Sequence, residues 1–197
     1  SIAEPNSAKP HEPPVELEAS YVAEMVRQAM LDRFGADALT GGYQVHTTLK
    51  SDVQEAANNA IRESLLNYDR RHGWRGAEAT VTLPESMTPT IAQQFLRDYR
   101  SLGGLIPALV TTINETEATV TLSDGQEVVL DMEKLRWAAP YISEDRRGPS
   151  PRRATDVLKL GDIVRLVRDE EGEFSLAQIP KAQGAVVTLS SEDGAIL

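Results

Sequence analysis

A mixed α+β chain is predicted, with helices and one strand leading and a small five-stranded Greek-key barrel following. Three observations carry that expectation. Up to residue 103 most apolar residues recur at helical spacing. From Leu105 onward the segments shorten and become β-like. Glycine-bearing turns, Ser123-Asp124-Gly125 and Glu170-Glu171-Gly172, then separate them.

The elements follow in order. Residues 1–16 are polar and hold Pro5, Pro10, Pro13 and Pro14. They offer too little apolar surface to order themselves, so a flexible tether is expected. Residues 17–103 read as a helical and strand linker. Ser20 is the expected N-cap of a helix over 20–34, through Val22, Met25, Val26, Ala29 and Arg33, stopped at Gly35. Tyr43, Val45 and Thr47 alternate with Gln44, His46 and Thr48, the pattern of a half-buried strand. Ser51 and Gln54 form S-x-x-Q, a capping box. Val53, Ala56, Ala57, Ala60, Ile61, Ser64, Leu65 and Tyr68 then share one face of a helix over 52–66. The run Tyr68-Asp69-Arg70-Arg71-His72-Gly73-Trp74-Arg75-Gly76 reads as a basic, aromatic turn. A third helix is expected over 89–101, with Thr88 as cap and Pro89 at its first position. Ile91, Phe95, Tyr99 and Leu102 give its apolar stripe, and Gly103-Gly104 its end.

Residues 104–181 should be the barrel. Its strands are read at 106–113, 118–122, 128–130, 163–167 and 174–179, with a helical turn within 132–137. A helical insert between the third and fourth of five strands is the OB arrangement. Residues 182–197 read as a strand at 184–189, a turn at Ser191–Gly194 and a returning Ala195-Ile196-Leu197.

Composition and absent motifs narrow the chemistry. The chain has 197 residues, a net charge of −10 and no cysteine. Its average surface repels phosphates and anionic lipid, and thiol catalysis is excluded. No apolar run approaches the roughly 20 residues of a membrane span, and no signal peptide is read at Ser1. His11, His46 and His72 lack metal-ligand spacing, so no metal or cofactor is expected. The S-x-x-K, S-x-N and K-T-G motifs of a penicillin-reactive transpeptidase do not occur. Ser150-Pro151-Arg152-Arg153 is no substitute, because arginine stays protonated and cannot act as base. Glu144-Asp145 lacks the E-D-x-x-F setting of a glycosyltransferase pair. No catalytic residue is assigned.

Two clusters stand out as candidate partner-binding residues. Arg70, Arg71 and Trp74 belong to the 69–76 run. Either its cations pair with acidic neighbours while Trp74 plugs a core, or the cluster anchors a partner, since Trp and Arg are favoured at interface hot spots. Arg146, Arg147, Arg152 and Arg153 place four like charges in a short span, just after Trp137 and Tyr141. That span is either a solvated loop or a basic docking patch, and the two aromatics are either its anchors or barrel-end core. A single-stranded nucleic-acid-binding OB domain is the alternative function. The acidic charge opposes it, and Phe174 is the one aromatic in the five predicted strands.

The stretch from Gly42 to Gly76 resembles the segment joining the two halves of a class A penicillin-binding protein, the bifunctional peptidoglycan synthase. The likeness is greatest to the 1A type of Gram-negative bacteria. Tyr43, Val45, Thr47, Thr48 and Leu49 fit that family's strand, and Gln54, Ala56 and Ala57 its helix. Asp69, Arg70, Arg71, Gly73, Trp74, Arg75 and Gly76 fit its turn. Weaker likeness runs from about Tyr21 to Leu197. The resemblance implies that Ala23–Met30 leaves a glycosyltransferase domain and that Gln183–Leu197 opens a truncated transpeptidase domain. It implies a periplasmic linker and regulatory piece, with a membrane anchor upstream and no membrane contact of its own. Its partners would be the parent's two enzyme domains and an outer-membrane lipoprotein activator docked on the OB-like domain, acting by population shift.

Overall fold

The computed structural model describes residues 17–169 and 171–197; the expected tether lies outside them. Five helices are described: α1 (Ser20–Phe34), α2 (Asp37–Thr40), α3 (Ser51–His72), α4 (Pro89–Leu96) and α5 (Met132–Leu135). The strands are β1 (Ala79–Thr80), β2 (Leu105–Ile113), β3 (Glu117–Leu122), β4 (Glu127–Asp131), β5 (Tyr141–Ser143), β6 (Arg146–Arg147), β7 (Asp162–Arg168) and β8 (Phe174–Ala177). Contacts divide the described residues into two compact units, 61–185 and a smaller one holding residues 17–60 with 186–197.

In the larger unit the short alternating segments become one antiparallel sheet. β2 pairs β3, β3 pairs β4, β7 returns to the other edge of β2, and β8 folds back on β7. The path β4-β3-β2-β7-β8 curls until β8 comes up against β4 and α5. That last edge carries no ladder among the described residues, so the barrel is nearly closed rather than sealed. Lys134 of α5 reaches across to Glu173 at 3.1 Å.

Successive side chains of a strand point to opposite faces. Ala108 and Val110 of β2 and Val164 and Leu166 of β7 therefore face inward, with Val120, Leu130, Leu135 and Leu176. Leu109 and Ile163 face outward and are covered by Ala92 and Leu96 of α4. Arg165 lies on that same outward face and is nearly as buried. It donates to both Glu78 carboxylate oxygens at 2.7 and 2.9 Å and to the Arg100 carbonyl at 2.6 Å, so the buried cation is paired.

Several expectations need correction. Ala19, not Ser20, holds the N-cap position of α1, and no side chain caps it. Tyr43–Thr48 is irregular, bends at Thr48 and joins no ladder. Tyr43 and Val45 are each 47% exposed, and Tyr43 stacks on Phe34 at 4.7 Å instead. Alternation marks a face, but a strand also needs a neighbour for its backbone groups. The Ser51 capping box is not used: Gln54 turns forward and donates to Asn58 at 3.0 Å. On α3 the row Val53, Ala57, Ile61 and Leu65 is half-buried, while Ala56, Ala60, Ser64 and Tyr68 face solvent.

α3 also runs six residues past the expected end. Nothing in Asp69-Arg70-Arg71-His72 breaks a helix, and cations in the last turn suit its dipole. α4 conversely ends at Leu96, although Thr88 caps it by accepting from the Ile91 N–H at 3.3 Å. Gly103 and Gly104 do not end it. With φ of 55° and 85° they form the tight turn that bonds Leu102 to Leu105 in both directions. β1 and the β5–β6 hairpin were not expected. Residues 184–197 form a looser hairpin with the single bridge Leu189–Ile196 rather than strands.

Candidate functional site

The basic, aromatic run is a joint between the end of α3 and the barrel. Gly73 stops the helix at φ 101°, and a Cβ there would lie 2.6 Å from the Ala139 carbonyl oxygen. Only glycine allows that approach. It places Trp74 beside Pro140 as a short parallel bridge. The Trp74 N–H donates to the Ala139 carbonyl and the Tyr141 N–H to the Trp74 carbonyl, both at 2.8 Å. The Trp74 indole enters the core and donates Nε1–H to the Val157 carbonyl at 3.2 Å.

Two polar residues complete the joint. Asp69, 4% exposed, accepts from Arg75 in a bidentate pair at 2.7 and 3.0 Å, and Arg75 also donates to the Ile179 carbonyl at 2.7 Å. Gln178 donates its amide to the Gly73 carbonyl at 2.8 Å and accepts from the Arg75 N–H at 3.0 Å. The Gly73 and Trp74 carbonyls and the Trp74 and Arg75 N–H groups thus gain partners across the joint.

Five of the expected residues come together here. Trp137 meets Trp74 edge to face at 5.9 Å, and the Arg70 guanidinium lies 5.8 Å from the Trp137 ring. Arg70 has no acidic partner among the described residues. Burial pulls its pKa below the usual arginine range. The buried Arg70 Nε and Trp137 Nε1 both lack an acceptor, each an uncompensated desolvation of about 1–3 kcal/mol. Tyr141 is half-buried and donates its hydroxyl to Glu144 at 3.1 Å, a bond that raises its pKa. Arg147 on β6 runs its aliphatic stem past Gly73 and exposes its charge.

The others lie elsewhere. Arg71 and Arg146 are exposed. Arg152 and Arg153 are held at their backbone by Asp156. Asp156 accepts from both their backbone N–H groups at 3.0 Å and from the Arg153 guanidinium at 3.1 Å, and Glu115 lies 3.6 Å from Arg153. They serve a short 3-10 turn at Ala154–Asp156.

Sequence reasoning missed Asp69, Gln178 and Lys181. Lys181 sits 5.9 Å from the Tyr141 ring centre. Gln178 lies about a hundred positions from the turn it bonds and Lys181 forty from Tyr141, and no local pattern signals either. Phe174, the aromatic of the five expected barrel strands, is buried beneath Arg168.

Residues 74–182 match the family described as Penicillin-binding protein OB-like domain. Penicillin-binding protein 1A of Pseudomonas aeruginosa is 41% identical over 196 residues, 100% of this chain and 24% of that protein. The Escherichia coli protein of the same name is 40% identical over 198 residues, 97% of this chain and 23% of its own length. The crystal structure of Penicillin-Binding Protein 1A from Haemophilus influenzae superposes with a TM-score of 0.74 at 35% identity, over 93% of this chain and 26% of that one. The chain therefore spans about a quarter of the length of the curated relatives it matches.

Proposed function

The chain belongs to the penicillin-binding protein OB-like domain family, and from that membership we propose a non-catalytic docking and linker module of a peptidoglycan synthase. Its parent would carry glycosyltransferase and transpeptidase activity in the periplasm, held by an anchor in the inner membrane. Residues 104–181 offer the docking surface, 17–103 link the barrel to the glycosyltransferase side, and 182–197 begin the transpeptidase side. The carrying observation is the family match over residues 74–182, which takes in the barrel together with the Trp74 joint. The absence of S-x-x-K, S-x-N and K-T-G in the sequence supports a role without chemistry.

The partner is an outer-membrane lipoprotein activator. It works by binding one arrangement of the module better than another, which shifts the parent toward its active form. Moving a two-state balance from 1:99 to 99:1 needs roughly a 10⁴-fold preference.

Titration of the 197-residue chain with the purified lipoprotein tests the reading. Saturable binding is expected, and its absence overturns the proposal. Incubation with a fluorescent β-lactam should leave the intact mass unchanged; a stoichiometric adduct would show that the chain carries a reactive serine.

A further inference from the structure

Between the Trp74 joint and the start of β5 lies an open groove of about 500 Å³, lined chiefly by Trp74, Arg75, Pro140, Tyr141, Val157 and Lys181. Its walls are fixed before anything binds. Trp74 is bonded to Ala139, Tyr141 and Val157, and Arg75 to Asp69 and Ile179. A preorganised wall loses little conformational freedom on binding.

The groove has two chemical halves. Pro140 and the Tyr141 ring give the accessible apolar surface, backed by the nearly buried edges of Trp74 and Val157. Arg75 adds no free charge, because Asp69 neutralises it. Lys181 does: it is exposed, and no carboxylate lies within ion-pair distance of it among the described residues. Arg147 adds a second exposed cation nearby, its stem against Gly73. Glu144, on the Tyr141 hydroxyl, makes that corner negative and leaves Lys181 as the place for an anion. This local excess of positive charge stands on a chain of net charge −10.

We propose that this groove seats an acidic peptide segment of the docking partner. An apolar side chain lies against Pro140 and the Tyr141 ring, over the edge of Trp74, and a neighbouring carboxylate pairs with Lys181. The groove is open to solvent, so it suits one side chain of a passing segment rather than an enclosed small molecule. The inference rests on the reading of the barrel as a docking module, and it moves the centre of that surface from the Arg146–Arg153 loop to Tyr141 and Lys181.

The test uses the ¹⁵N-labelled chain and a blocked peptide of alternating leucine and glutamate, with its leucine–glutamine counterpart as control. Saturable shifts are expected at the Trp74 indole, Tyr141 and Lys181. They should weaken at least tenfold with the glutamine peptide and with Lys181→Glu, and fall with added salt. Lys181 is exposed, so the variant should keep its spectrum; Tyr141→Ala is a second variant with the same expected loss. Equal response to the two peptides, or shifts confined to another face, would overturn the groove. The lipoprotein arm separates this from the broader reading. A lipoprotein that binds wild type and Lys181→Glu alike removes the groove and keeps the docking module. One that binds neither, while the acidic peptide binds as expected, removes the lipoprotein and keeps the groove.

Discussion

Two regions carry the same alternation of apolar and polar residues and reach opposite ends. In the barrel, Val164 and Leu166 pair through β7 with β2 and are almost wholly buried. In the smaller unit, Tyr43 and Val45 alternate as regularly, yet stay about half exposed and unpaired, and Val187 is 70% exposed. Period-2 patterning specifies which side of a segment is apolar. Burial follows where a second strand supplies a backbone ladder and a second layer covers the face. The barrel supplies both within 105–177, because its hairpin turns return the chain to its own edge.

That contrast is open to attack by mutation. The largest effect should come from Leu166→Ala, which removes a fully buried side chain from the barrel interior. A loss of about 2–5 kcal/mol is expected in urea unfolding. The matched change Val187→Ala should cost less than about 0.5 kcal/mol. Equal costs would break the distinction between the regions.

A somewhat smaller effect should follow from Asp69→Ala. It strands Arg75 beside the barrel with its Ile179 bond but no carboxylate, and roughly 3 kcal/mol should be lost. Asp69→Ala with Arg75→Met should recover part of that loss, and a double-mutant cycle gives the coupling directly. No coupling would mean that the joint is held by Trp74 and Gln178 without help from the ion pair.

The smallest effect is electrostatic. The N–H groups of Arg152 and Arg153, with the Arg153 guanidinium, hold the Asp156 carboxyl below the usual aspartate range. A folded pKa below the unfolded one stabilises at pH above the unfolded value, and the stabilisation is lost as pH falls through the folded value. The Asp156 carboxyl carbon should therefore titrate by NMR below 3.8, with the 154–156 turn loosening as it protonates. Titration at or above 3.8 would return Arg153 to the pool of free surface charge.

The fold was legible where turn chemistry and periodicity agreed. The five barrel strands fall within about two residues of their expected limits, and the resemblance to class A penicillin-binding proteins is matched by the family and by the Haemophilus influenzae structure. It was less legible where one signal acted alone. Aromatic and basic composition drew attention to residues 69–76 but hid that Asp69–His72 continue a helix, since only Gly73 is a stop. The same composition singled out Arg70, Trp74, Trp137 and Tyr141, which the fold gathers, and equally Arg153, which a carboxylate three residues on claims. Lys181 and Gln178 had no local signal, because their partners are set by the closing of the barrel.

The Gln178 side chain imposes a chemical condition on the joint. Its amide reads one acceptor and one donor of the same backbone turn, Gly73 C=O and Arg75 N–H. Hydrolysis of that amide to a carboxylate would change the shape hardly at all. It would nevertheless turn a donor into an acceptor facing the Gly73 oxygen, in a place where water is excluded. The joint thus distinguishes two isosteric side chains by polarity alone, and Gln178→Glu would loosen the end of α3 from the barrel while leaving the core as it was.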